Sequence, residues 1–184
     1  MDTVIDLNGH TMTCVPPFKG SDGTESNCLR LMKGSKVLIK NGTIKTIAPT
    51  AAILVQNFAD ELILDNVKLQ GKMTTSYILS NNRGKVILRN GTTVKASSGC
   101  VAFDVCYGLT PECDDGVEVV IEDSTVTVIG KVEYTKSERV EDTQEFLSKS
   151  HLYIPKDYEG VTAPEGYQFK LTEDGTRQEL VPIN

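Results

Sequence analysis

Val37-Leu38-Ile39-Lys40-Asn41 returns as Leu62-Ile63-Leu64-Asp65-Asn66, Val86-Ile87-Leu88-Arg89-Asn90 and Val119-Val120-Ile121-Glu122-Asp123, and Val4-Ile5-Asp6-Leu7-Asn8 precedes them all. Each copy is a run of β-branched and aliphatic residues that stops at Asn or Asp, and a second short apolar run follows. That is strand, turn and strand, five times over, and self-similarity of this kind is the mark of a repeat architecture. The closing residues fall 33, 25, 24 and 33 positions apart, so the outer gaps read as a 24-residue unit carrying about nine inserted residues. A second column, Cys28, Ala52, Ser76 and Cys100, keeps the 24-residue step, and each member opens a further apolar run. Three short strands and three turns per unit describe one coil of a parallel β-helix, which buries its inward face only by stacking on its neighbours. The fold class expected is all-β: a right-handed single-stranded parallel β-helix of about five coils over residues 1–130. The hand follows from the chirality of crossovers between parallel strands.

Alternation along a strand sorts the side chains. Val37 and Ile39, Leu62 and Leu64, Val86 and Leu88, and Val119 and Ile121 point inward in stacked columns. Lys40, Asp65, Arg89 and Glu122 then point outward as a ladder of alternating sign, a solvated feature of small energetic weight. Leu38, Ile63, Ile87 and Val120 form an outward apolar stripe that calls for cover, by the C-terminal segment, another subunit or a neighbouring domain. Asn41, Asn66 and Asn90, with Asp123 closing the series, occupy one turn in successive coils. There they hydrogen-bond turn backbone and one another, and Asn tolerates the left-handed conformation such a bend needs. Asn41-Gly42-Thr43 and Asn90-Gly91-Thr92 match the glycosylation pattern, a match read as accidental.

Composition narrows the class. The chain of 184 residues fits one main domain, and its apolar content of 39% suffices for a core. The net charge of −6 and pI near 5.0 argue against a nucleic-acid or anionic-membrane partner. No run approaches the roughly 18 apolar residues that span a bilayer, so membrane insertion is not expected. Because Met1 stands almost inside a strand, the sequence reads as a trimmed or mature fragment. Of five Cys, Cys14 and Cys28 bracket a Pro/Gly/Ser-rich excursion and Cys106 and Cys113 bracket a second. A bridge across each would clamp a loop base and place the protein outside the cell; ordinary small buried thiols are the other reading.

Residues 131–184 change character and read as a capping segment or a linker. A short helix over 138–150 shows Val140, Phe146 and Leu147 on one side, and Tyr167 to Leu171 and Gln178 to Val181 flank Glu173-Asp174-Gly175 as a hairpin.

Asp6-Leu7-Asn8-Gly9-His10-Thr11 resembles segments of right-handed β-helix repeats in large secreted and surface-attached bacterial proteins of the pectin-lyase-like superfamily. The resemblance covers residues 1 to about 130 and concerns architecture, not activity. It implies that an enzyme of this kind would hold calcium with acidic residues and use an Arg as base. Glu112, Asp114 and Asp115 are the candidate cation ligands, although their spacing lacks a regular ligand ladder. Only the region of Asp114, Asp115 and Glu118 with Arg89 approaches a lyase arrangement, and His10 reads as structural. Neither the Asp-rich motifs of polygalacturonases nor the Trp and His motifs of pectate lyases occur. No cofactor other than that calcium is implied. Tyr107, Tyr134, Tyr153, Tyr158 and Tyr167 are the candidate rings for a sugar platform. The expectation is a non-catalytic extracellular β-helix module, structural or adhesive, with glycan binding or lyase-like action on acidic polysaccharide as the alternative. Association through the outward apolar stripe is a further expectation.

Overall fold

The computed structural model describes residues 2–15, 27–48, 51–72 and 75–183. It is an all-β structure of mostly parallel strands with one short helix. Taken in chain order, β1 (Thr3–Asp6) and β2 (Thr11–Cys14) belong to a large sheet, and β3 (Asn27–Leu31) to a smaller one. The chain then alternates. β4 (Lys36–Thr46), β6 (Glu61–Gln70), β8 (Gly84–Arg89), β9 (Thr93–Lys95), β11 (Val117–Ile121) and β12 (Thr127–Ile129) join the large sheet. β5 (Ile53–Asn57), β7 (Tyr77–Asn81), β10 (Val101–Tyr107) and β13 (Lys131–Lys136) join the small one, in which the order is β13-β10-β7-β5-β3 and every pairing is parallel.

The hydrophobic columns follow the register. Val37, Leu62, Val86, Val119 and Leu152 are mutual partners, as are Ile39, Leu64, Leu88 and Ile121, and all are buried. Leu29, Val55, Leu79, Phe103 and Val132 face them from the small sheet. β-branched and aliphatic side chains suit a narrow interior walled by pleated strands, which is why the repeated phrase carries them at every second position.

Two details differ from the sequence reading. β4 and β6 each run unbroken through the bend, where strand, turn and strand were expected. Asn41 (φ 56°) and Asn66 (φ 55°) turn the corner within one residue, while the ladder continues beyond them, Gly42 opposite Val67. Gly42 is itself forced by a close approach, since a Cβ there would lie 2.4 Å from Leu7 Cβ and 2.5 Å from the His10 carbonyl. The helix is shorter than 138–150: α1 spans Thr143–Lys149, because Asp142 caps it and accepts from Gln144 N at 2.7 Å.

After α1, β14 (Ser150–Pro155) pairs with β11, and the antiparallel hairpin of β15 (Tyr167–Leu171) and β16 (Arg177–Pro182) pairs with β14. Phe146, Leu152, Ile154, Tyr158, Val161 and Leu180 thereby join the core, with Tyr134 packed at 4.9 Å from Phe146 and 5.0 Å from Tyr167. The hairpin extends the large sheet and does not lie over the outward stripe. That stripe runs Val4, Leu38, Ile63, Ile87, Val120 and Tyr153 in register between two charged ladders. The ladders are Lys36, Glu61, Lys85, Glu118 and His151 on one side, and Asp6, Lys40, Asp65, Arg89 and Glu122 on the other. Leu38, Ile63 and Ile87 are half-buried among these long side chains, whose aliphatic stems do part of the covering.

Candidate functional site

Beyond the Asn corner the large sheet presents a second outward face. β2, the C-terminal halves of β4 and β6, β9 and β12 lie in parallel register there. Met12, Ile44, Leu69, Val94 and Val128 point inward, so their neighbours point to solvent. One outward column is Thr11, Thr43, Lys68, Thr93 and Thr127; the other is Thr13, Lys45, Gln70, Lys95 and Ile129. Neither column contains a carboxylate. Lys68 and Lys95 are exposed and Lys45 half-buried, and none of the three makes an ion pair or side-chain hydrogen bond among the described residues. Their rungs are about 4.8 Å apart. A shallow hollow of about 500 Å3 borders this face, lined by Asn8, Asn41, Asn66, Thr43 and Lys68. The sequence carries the signal: Thr43, Lys68 and Thr93, and Lys45, Gln70 and Lys95, repeat every 25 residues just after the Asn column.

The Asn column itself forms an inter-coil network. Asn41 Nδ2 donates to Asp6 at 3.2 Å, Asn66 Nδ2 to Asn41 Oδ1 at 3.3 Å, and Asn90 Nδ2 to Asp65 at 2.8 Å. Asp123 accepts from the Thr125 hydroxyl, from Asn90 N at 2.7 Å and from Thr125 N at 2.8 Å, and against the raising effect of burial those hydrogen bonds hold its carboxyl below the usual range. Asn8, Asn41, Asn66 and Asn90 all have positive φ.

The acidic loop is arranged differently from a cation site. Asp114 meets Arg139 Nη2 at 2.6 Å, while Asp115 accepts from Arg83 Nη2 at 2.7 Å. Each carboxylate faces a different guanidinium, and the Glu112 side chain lies outside the described part. Arg83 also donates through Nη1 to Asp60, and these bonds hold the Asp60 and Asp115 carboxyls below the ordinary carboxylate range. Among the described residues no three His, Cys, Asp or Glu side chains are grouped to hold a metal. Glu118 pairs with Lys85 at 3.1 Å, whereas Arg89 lies between Asp65 (2.8 Å) and Glu122 (3.5 Å) on the far side of the stripe. The four residues named for a lyase arrangement are therefore not convergent. His10 donates and accepts through its backbone, bonding Leu7 and Thr43 at the corner.

On the small sheet, Gln56, Ser80 and Asp104 are register partners whose side chains are buried. Gln56 Nε2 donates to Asn82 Oδ1 at 2.9 Å, and Ser80 Oγ to Asp104 Oδ2 at 3.2 Å. Asn81 N donates to Asp104 Oδ1 at 3.0 Å. Burial pushes the Asp104 carboxyl up to about 7. Cys106 lies close by, its thiol pushed up to about 11 by burial first and then by the Asp104 charge. All five cysteines are free thiols. Cys14 and Cys28 are near enough for each thiol to shift the other, and Cys106 and Cys113 are close enough to interact electrostatically.

The tyrosines serve the interior. Tyr107 and Tyr134 are buried, Tyr107 OH donating to Glu145 at 2.8 Å, and Tyr158 OH donates to the Val126 carbonyl at 2.9 Å. Tyr153 has its ring engaged by outward neighbours, with the Arg177 guanidinium 3.9 Å from its centroid and the His151 ring stacked at 5.8 Å.

No helix among the described residues is long and apolar enough to cross a membrane. No family model matches the chain, and no curated protein or solved structure matches it.

Proposed function

We propose that the two alternating sheets are the walls of a right-handed parallel β-helix of the pectin-lyase-like type. In this reading the chain is a non-catalytic module of a bacterial secreted or surface protein, extracellular or cell-surface in location. Its task is adhesive: the Thr/Lys face holds an acidic polysaccharide. The right hand rests on the chirality of parallel crossovers. The superfamily assignment rests on the Asp6 to Thr11 phrase and the 24-residue step.

One observation carries the functional part. In a chain of net charge −6, Lys45, Lys68 and Lys95 stand on one flat strand face with hydroxyls around them and no carboxylate in their columns. Three cations on the part of the large sheet before the corner are matched by a carboxylate on the adjacent rung: Lys40 with Asp6, Lys85 with Glu118, Arg89 with Asp65. Lysines with no counter-ion among the described residues attract a polyanion and raise its encounter rate. A repeating carboxylate suits them, since the rungs repeat too. The face lacks the stacked aromatic rings that single-stranded nucleic acid would use. The carboxylates of the acidic loop, Asp114 and Asp115, and Glu118 beside it are engaged in opposite-charge pairs, which favours binding over turnover there.

Affinity electrophoresis in polygalacturonate tests this, with K45Q/K68Q/K95Q as the control and circular dichroism to check the fold. Retardation that weakens with salt and drops at least tenfold in the triple variant is expected. Equal retardation of wild type and variant would overturn the reading, as would equal affinity for DNA. Release of new reducing or unsaturated ends from the polymer would overturn its non-catalytic part.

A further inference from the structure

The small sheet ends at β13, whereas the large sheet goes on past β11 to β14, β16 and β15. Among the described residues the small sheet is therefore short of a rung at this end. A hollow of about 460 Å3 borders β13 from Gly130 to Thr135, and Thr162, Ala163, Pro164, Glu165 and Tyr167 form its far wall. Successive side chains of a strand point to opposite faces. A hollow that touches Val132 and Tyr134 as well as Lys131, Glu133 and Thr135 thus runs along the edge of the strand.

The backbone of that edge is open. Lys131 N donates to the Cys100 carbonyl and Ser137 N to the Tyr107 carbonyl, so the odd-numbered residues of β13 turn their peptide groups toward β10. Val132 and Tyr134 turn theirs the other way, and neither their N–H nor their C=O groups have a partner among the described residues. Open edge groups of this kind template a further strand. The far wall decides what supplies it: the slot it leaves admits a single extended segment and keeps out the sheet edge of a second folded copy.

Register and charge describe the segment. Leu79, Phe103 and Val132 form an inward column, and Tyr134 stands two residues on. A segment in register places apolar side chains next to Val132 and Tyr134, where Ala163 and Tyr167, packed against the core, complete their surroundings. The side chain between them stands outward beside Glu133. Lys131 balances Glu133 at 2.7 Å, and Glu165 makes no ion pair among the described residues, so the groups lining the hollow carry one negative charge in excess. A basic residue complements it.

We infer that β13 accepts an extended segment of another protein, patterned apolar, basic, apolar, which joins the small sheet as its next rung. The Thr/Lys face is cationic and does not compete for such a segment, and neither reading depends on the other.

The peptide acetyl-Thr-Val-Lys-Val-Thr-amide is titrated into the whole 15N-labelled chain, with Glu in place of Lys as the control peptide. The Val132 and Tyr134 amide signals are expected to move saturably below about 1 mM. Their hydrogen exchange is expected to slow about tenfold at a peptide concentration roughly ten times the Kd. The Glu peptide should bind about fivefold more weakly or worse. E165K, a change at an exposed side chain, should weaken the Lys peptide about fivefold while the circular dichroism spectrum stays as in wild type. Val132 and Tyr134 signals that stay still up to about 1 mM overturn the inference, and so does binding that leaves their exchange rates unchanged. Equal binding of the Lys and Glu peptides, or of the Lys peptide by wild type and E165K, overturns the basic partner. Protection of the two amides that grows with protein concentration alone would make the occupant a second copy and overturn the inference as well.

Discussion

Ser80 donates to Asp104 at 3.2 Å from the neighbouring rung of the small sheet, and the pair is buried on the sheet's outward side. Glu133, Cys106 and Tyr77 also face the Asp104 carboxyl, and the Glu133 charge, itself paired with Lys131, adds to the cost of ionising it. Burial therefore dominates, and the folded-state value of about 7 stands above the unfolded one near 3.9. A raised folded value means stability that is complete below about pH 4 and lost as pH climbs through about 7, with a slope of up to ~1.4 kcal/mol per pH unit between them. Asp60, Asp115 and Asp123, whose values are lowered, act in the opposite sense and only toward more acid pH. Urea unfolding from pH 4.5 to 8 should show wild type weakening across this window and D104N staying nearly level. Parallel profiles for the two proteins would show that Asp104 titrates normally.

The Asn corner predicts an ordering of substitutions. Asn66 has φ 55° and its amide bonds Asn41, so Ala there loses the bond and strains the backbone. N66A should cost about 1–2 kcal/mol, the usual cost of an L-residue held left-handed. N66G should cost distinctly less, because Gly enters that region freely. Thermal unfolding of the two variants checks this; a Gly variant as weak as the Ala variant would assign the cost to the side-chain bond and not to the backbone.

Much of the fold was legible because one phrase dictates three things together. Its alternation sets the inward column, its Asn sets the corner, and its spacing sets the stack, so Val37, Leu62, Val86 and Val119 could be placed opposite one another from sequence. The large-sheet ladder of Lys40, Asp65, Arg89 and Glu122 follows from the same alternation. What sequence left obscure depends on partners far apart in the chain. Arg83 meets Asp115 across 32 residues, and no local pattern announces that the acidic loop is spoken for by guanidinium groups. The Thr/Lys face was hidden for another reason: net charge averages over the molecule, so an acidic total masks three lysines gathered on one side. The outward stripe was read as needing cover because hydropathy takes no account of the stems of the flanking Lys and Glu.

The two sides of one strand should respond very differently to truncation. Leu64 is fully buried between Ile39 and Leu88, whereas Ile63, its neighbour, is half-buried in the outward stripe. L64A should lose about 2–5 kcal/mol, the span for deleting a packed Leu. I63T should change stability by about 1 kcal/mol or less, since a β-branched residue still suits a partly wet strand face. Chemical denaturation resolves the contrast. A large loss for I63T would mean that something covers the stripe in solution, and its oligomeric state should then be measured.

Cys14 and Cys28 offer the last prediction. Their thiols are near enough to shift one another, which holds Cys28 down to about 7 and pushes Cys14 up, whereas burial raises Cys106 to about 11. The thiolate is the nucleophile, so iodoacetamide at neutral pH should label Cys28 well before Cys106. The same thiolate can attack glutathione disulfide. Cys28 first forms a mixed disulfide and releases one glutathione, and the Cys14 thiol then displaces the second, leaving a Cys14–Cys28 bond and two glutathione thiols. Closing a loop of this length should add roughly 3 kcal/mol if the bond forms without strain. A peptide map run without reductant should then join the segments holding residues 14 and 28, and the melting point should fall when reductant is added. A map that joins neither segment after incubation with glutathione disulfide would show that the two sulfurs, though close, cannot reach bonding geometry, and the loop base would be held by packing alone.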